Sequence, residues 1–136
     1  MQIQTSKETE LVDITEKVME QIKVKDVKEG FCIVFSKHTT TGIIINENEP
    51  RLKEDILNML DKIVPDEKGY LHDDIDSNAH SHLRSILLGS SIVVPIENGS
   101  LLLGTWQSIF LVELDGPRSR TVNVSIIGQN QNCREV

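Results

Sequence analysis

The sequence predicts an α+β fold with a largely antiparallel sheet and about three helices. Three patterns carry that expectation. Helical periodicity is concentrated in the middle of the chain, whereas strand rhythm and a hairpin signal dominate the last third. The two kinds of segment do not alternate as repeated βαβ units would.

The first helix is expected over residues 14–25. Asp13-Ile14-Thr15-Glu16 resembles a capping box, and Ile14, Val18 and Ile22 share one face. Gly30 marks a turn. Phe31 to Ser36 is a continuous apolar run of strand length, and Thr41 to Asn46 is a second. A second helix begins near Asn48-Glu49-Pro50, with Asn48 as cap and Pro50 in the first turn. Its stripe is Leu52, Ile56, Leu57, Leu60 and Ile63, and Pro65 ends it. Residues 66–76 read as a polar loop. A third helix runs from a Ser77 or Asn78 cap to Leu88, stopped by Gly89, with an apolar face of Ala79, Leu83, Ile86 and Leu87. Ile92-Val93-Val94 then reads as a strand, Asn98-Gly99 as a hairpin turn, and Leu101 to Leu103 and Trp106 to Leu114 as further strand. Asp115-Gly116-Pro117 turns the chain into an alternating strand over 120–126.

The 136 residues form one expected domain, 1–136, long enough for a hydrophobic core. At 38% hydrophobic and 26% charged residues the chain reads as globular. A net charge of -7 argues against a nucleic-acid partner, since an acidic surface repels phosphate backbones. No apolar run reaches spanning length and no leader-like segment opens the chain, so no membrane partner and a cytoplasmic location are expected. Cys32 reads as a core residue. Cys133 lies in a polar tail, and a disulfide between the two has no support.

Histidines are the first candidates for chemistry. His38 stands at a strand end, and His72, His80 and His82 fall in a short window rich in Asp and Asn. On a helix, His80 and His82 are about 200° apart, so one of them at most enters a given site. Periodicity does not choose between them, and a surface role fits either. Glu47 leaves a buried strand beside Asn48. Arg118 and Arg120 follow a Gly-Pro turn, and Arg84 lies on the histidine helix; guanidinium groups suit bidentate phosphate contacts. The alternative for the turn arginines is ion pairing with Asp115 or Glu113. Trp106, the single tryptophan, reads as core or, beside Gln107, as the wall of a pocket for a flat heterocycle. Phosphate-loop, dinucleotide and nucleophile-elbow motifs are absent.

Several ordered blocks together resemble the YjbQ family, the group called secondary thiamine-phosphate synthases. They are His38-Thr39-Thr40-Thr41-Gly42 with Ile45-Asn46-Glu47-Asn48; His72 and Asn78 with Ser81-His82-Leu83-Arg84-Ser85; Leu88-Gly89-Ser90-Ser91 and Pro95; Gly99 with Leu103-Gly104-Thr105-Trp106-Gln107; and Gly116-Pro117-Arg118 with Arg120. The resemblance spans residues 10–127. Ser108 stands where the family often has Gly.

The resemblance implies a sandwich-like sheet, a homotrimer and a secondary activity. In that activity a hydroxymethylpyrimidine diphosphate loses pyrophosphate to the nitrogen of a thiazole phosphate. It maps His38, His72 and His82 onto family positions and sets His80 aside. We therefore expect those three imidazoles at one centre, as ligands of a divalent ion (zinc or magnesium) or, without metal, as direct phosphate binders. His38, Glu47 and His82 are the expected catalytic residues. Asn48, Arg84, Trp106, Gln107, Arg118 and Arg120 are the expected contacts for a small phosphorylated molecule. The alternatives are a metal-dependent hydrolase and a non-catalytic trimeric ligand-binding protein.

Overall fold

The structure is a computed structural model that describes residues 1–129. Two antiparallel sheets carry it. The larger has the order β1 (Gln2–Gln4), β8 (Ser119–Gln129), β3 (Glu29–Ser36), β5 (Ser91–Glu97), β6 (Ser100–Leu101). The smaller has β2 (Glu10–Asp13), β7 (Gln107–Glu113), β4 (Thr41–Glu47). The helices are α1 (Thr15–Lys25), α2 (Pro50–Ile63) and α3 (Ala79–Leu88), with a short 3₁₀ turn at Leu71–Asp74. Mixed α+β, antiparallel and three-helix, this is the predicted class. No helix among the described residues is long and apolar enough to cross a membrane. Cys32 is a buried free thiol whose pKa is pushed up by burial. Cys133 lies outside the described residues.

β7 explains the layering. Its residues Ile109 to Glu113 are all buried, because both of its faces are covered. Ile109 and Leu111 join Ile14, Val18, Ile22, Val34, Ile43 and Val122 between the two sheets and under α1. Phe110 and Val112 point the other way and pack with Leu60, Leu11 and Leu114, beside Ile56 and Leu88. Among the described residues, none gives the outer face of the larger sheet such a cover. Phe31, Phe35, Val93 and Ile127 are exposed there, so the run Phe31–Ser36 is buried on one side only.

Local predictions fail where a tertiary partner decides. The helix α1 begins one residue late: Ile14 is its cap residue, and Asp13 Oδ1 accepts the Thr15 N–H (2.9 Å) and hydroxyl (2.6 Å). Glu49, not Asn48, caps α2 by accepting the Leu52 N–H at 2.6 Å, while Asn48 donates to Asp13 Oδ2. Strand β5 continues through Pro95 to Glu97, and Asn98 and Gly99 (φ 53° and 76°) form the expected two-residue turn. β1 and β2 are additions; Gln2-Ile3-Gln4 is strand only because it pairs with β8.

The largest correction concerns α3. Of its predicted apolar face only Ala79 is buried; Leu83, Ile86 and Leu87 are exposed, and His80, Ser81, Arg84 and Ser85 face inward. The surface beneath them is a rim of backbone carbonyls. Ser81 Oγ donates to Leu114 O (2.6 Å), Ser85 Oγ to Thr41 O (2.5 Å) and Arg84 Nε to Val64 O (2.9 Å). Buried carbonyls need donors, so polar side chains win that face.

One ion pair lies between the sheets. Glu113 of β7 and Arg120 of β8 are both buried, with Arg120 Nε 2.9 Å from Glu113 Oε1. Glu113 also accepts from the Thr5 hydroxyl (2.7 Å) and from the N–H groups of Leu114 (3.0 Å) and Asp115 (3.1 Å). Burial pushes its carboxyl pKa up, but Arg120 and these donors outweigh burial and hold it below the usual 4.5. Removing one partner strands the other charge. Arg120→Met should therefore lower the unfolding free energy in urea by about 3–5 kcal/mol, and adding Glu113→Leu should recover part of the loss. Because the folded pKa of Glu113 is depressed, its stabilising contribution is complete above 4.5 and is lost as pH falls through the lower folded value. The double variant should show a shallower acid limb than wild type.

Candidate functional site

His38 follows the end of β3 and is held by its ring. Its Nε2 accepts the backbone N–H of Thr121 at 2.9 Å. A backbone N–H only donates, so Nε2 is unprotonated and the neutral ring carries its proton on Nδ1. Burial, then the charge of Arg120, lowers the His38 pKa below 6.5, against an opposing pull from Glu113; Arg118 and Lys37 add to the lowering. Neutral His38 is therefore a donor through Nδ1.

His72, on the 3₁₀ turn, is fixed by a relay. Arg118 Nη2 contacts Asp115 Oδ2 (3.0 Å), and that carboxylate accepts from Asn78 Nδ2 (2.9 Å). The Asn78 amide is thereby oriented with Oδ1 toward His72 Nε2, 3.1 Å away. Since Oδ1 only accepts, Nε2 is the protonated nitrogen of His72. His82 on α3 meets His72 edge to face, with ring centroids 4.9 Å apart at 82°.

All three rings line one cavity of about 490 Å³, together with Arg118 and Arg120. Arg120 Nη2 donates to Thr40 Oγ1 (2.9 Å) and O (3.3 Å), and Nε is engaged with Glu113. Nη1 has no hydrogen-bond partner among the described residues. Both ion pairs named as alternatives for the turn arginines form, and both arginines border the cavity as well.

The other predicted contacts lie elsewhere. Arg84 is buried and tied to Val64 O and Asp61 (3.2 Å), where it joins α3 to α2. Glu47 and Gln107 face each other in register at the far end of the smaller sheet. Glu47 lies six residue steps along β4 from Thr41, about 20 Å at strand rise. Asn48 is nearby, and Trp106 is 72% exposed on the turn before β7, neither core nor cavity wall. His80 is buried with Nδ1 3.0 Å from Asp66 Oδ1, off hydrogen-bond geometry, and does not border the cavity. Asn78 and Asp115 are the residues that sequence reasoning undervalued. Their signal was weak: Asn78 looked like a helix cap, and Asp115 like the start of a turn.

The donor set does not suit an ion bound by all three imidazoles. Thr121 occupies the lone pair of His38 Nε2 and leaves a proton on Nδ1, so neutral His38 has no free lone pair for an ion, although His72, donating through Nε2, keeps Nδ1 free. Among the described residues, no group of three His, Cys, Asp or Glu is placed to share a metal.

A family model described as UPF0047 protein YjbQ-like matches residues 1–129. The chain belongs to that YjbQ-like family. A UPF0047 protein of Methanothermobacter thermautotrophicus is 51% identical over 127 residues, covering 93% of this chain and 89% of the relative. The UPF0047 protein YugU of Bacillus subtilis is 40% identical over 129 residues, 94% of this chain and 97% of its own. Among solved structures, a YbjQ-like protein from Sulfolobus solfataricus P2 superposes with a TM-score of 0.93 at 42% identity, covering 95% of this chain and 94% of that one. A hypothetical protein from Aeropyrum pernix K1 gives 0.92 at 39%, covering 95% and 96%.

Heteronuclear NMR of the histidine rings should find His38 in the Nδ1–H form and His72 in the Nε2–H form. The His38 midpoint should lie below 6.5. With the folded pKa lowered, the His38 contribution to stability is complete above 6.5 and is lost as pH falls through that midpoint. An Nε2–H signal for His38 in neutral solution would contradict the Thr121 bond.

Proposed function

We propose that the cavity binds the phosphate or diphosphate of a small organic substrate, and that this YjbQ-like protein acts as a thiamine-phosphate synthase-like transferase, as a secondary activity. One observation carries the anion reading: Arg118, Arg120 and His38, an imidazole held as an N–H donor, line one cavity. Such donors suit anionic oxygens.

In the proposed reaction the C–O bond between the pyrimidine methylene and its diphosphate breaks, and the electron pair leaves with pyrophosphate. The thiazole nitrogen lone pair forms the new C–N bond. Arg118, Arg120 and the His38 Nδ1–H neutralise the departing charge. His82, whose ring has no protein hydrogen bond among the described residues, is the group that transfers a proton to pyrophosphate. Glu47, Trp106 and Gln107 have no step here, because they lie away from the cavity within the chain. The metal-hydrolase alternative needs an ion on the histidines, and the His38 donor arrangement argues against it. We give no step to a resident ion.

The homotrimer belongs to the same proposal. Its support is the uncovered outer face of the larger sheet, where Phe31, Phe35, Val93 and Ile127 form an apolar surface of the kind that subunits cover.

Purified protein given both precursors should form thiamine phosphate, and His82→Ala should reduce the rate to background. Arg118→Ala should raise KM for the diphosphate by about tenfold or more. Pyrophosphate binding with no turnover would leave only the binding-protein reading. Sedimentation should give three chains, and Val93→Asp should shift the mass toward one. An unchanged mass would remove that face from the interface.

A further inference from the structure

The chain's only tryptophan, Trp106, stands largely exposed on the connection between β6 and β7, where Leu102 is exposed as well. An indole left in water forgoes a large burial gain, and tryptophan is among the commonest anchors of protein interfaces. Its neighbour Gln107 lies in register with Glu47, the last residue of β4. The Glu47 carboxylate makes no ion pair among the described residues. An exposed aromatic group and an unpaired anion therefore share one end of the smaller sheet.

The other end of β4, about 20 Å away along the strand, adjoins the cavity. Thr40, just before β4, borders it, and so does the exposed Lys37, which also makes no ion pair among the described residues. A second depression of about 500 Å³ shares Lys37, His38 and His82 with the cavity. It reaches Phe35 on the outer sheet face and Ile86 on the exposed face of α3. The two ends of the strand complement each other. Two cavity ends brought face to face would oppose Lys37 and Arg118 to their own copies, and like charges across an interface repel. A head-to-tail contact brings Glu47 to Lys37 and Trp106 to Phe35 and Ile86. Such a contact closes into a ring when its rotation allows. It is also continuous with the uncovered sheet face, because Phe35 belongs to both.

We propose that a second copy of the chain completes each cavity by docking its Glu47–Trp106 end there. Trp106 of the neighbouring copy packs on Phe35 and Ile86 and walls the cavity beside His38 and His82, and Glu47 of that copy pairs with Lys37. This rests on the assembly proposed above and adds that the site is shared: residues remote from the cavity of their own chain serve the cavity of the next.

The single tryptophan supplies the test. In the assembled protein its fluorescence should be blue-shifted and shielded from acrylamide, and it should change saturably as pyrophosphate is added, with the midpoint found by calorimetry. Glu47→Lys should weaken assembly by about tenfold or more and shift the emission to that of a solvated indole, and Lys37→Glu in the same chain should restore both. An assembled wild-type protein whose indole stays solvated would overturn the shared site and leave the anion and assembly readings standing. Indifference of the fluorescence to bound pyrophosphate, or an unchanged assembly in Glu47→Lys, would do the same. A single chain in solution would end the shared site together with the assembly. Absence of pyrophosphate binding would end the anion reading, and the shared contact would then stand or fall on the emission and the charge exchange.

Discussion

The buried pair of Glu113 and Arg120 is the constraint on which the rest of this molecule depends. Two charges between the sheets are tolerable only when hydrogen bonds from their surroundings offset the cost of desolvating them. Here the partners come from across the chain: Thr5 near the start, Thr40 between β3 and β4, and the backbone of Leu114 and Asp115. The turn that follows is held to the same standard. A Cβ on Gly116 would come within 2.7 Å of Glu113 Cγ and 2.4 Å of Lys7 O, so only glycine fits.

That constraint reaches the candidate site through one residue. Thr121, next to Arg120, directs its backbone N–H at His38 and fixes which nitrogen holds the proton. On the other side, Arg118 and Asp115 orient Asn78, and Asn78 orients His72. The cavity is thus preset by hydrogen bonds among its own walls and by the backbone of Thr121. An imidazole that must donate differs chemically from one free to ligate, and here the difference rests on a single backbone hydrogen bond.

The two faces of the fold have opposite characters. The smaller sheet is buried on both sides, whereas among the described residues none covers the outer face of the larger. α3 adds to this asymmetry by turning hydroxyls inward, toward carbonyls that need donors, and leaving Leu83, Ile86 and Leu87 outside. Gly42 permits the close approach of that helix to β4, since a Cβ there would meet Leu88 at 2.7 Å.

Much was legible from local pattern. Apolar spacing located α1, α2 and α3 within a few residues, the Asn98-Gly99 pair marked its hairpin, and ordered blocks identified the family. These depend on neighbours in the chain, which a sequence displays. Other features had to await tertiary contacts: β1 as a strand, the inward face of α3, Arg84 as a tie to α2 rather than a phosphate ligand, and the distance of Glu47 and Trp106 from the cavity. Amino-acid order alone determined the class of fold and which rings are available for chemistry. Packing decided which nitrogen of His38 and His72 carries the proton, because a proton's place on an imidazole is set by its bonding partner, and those partners, Thr121 and Asn78, are brought there only by folding.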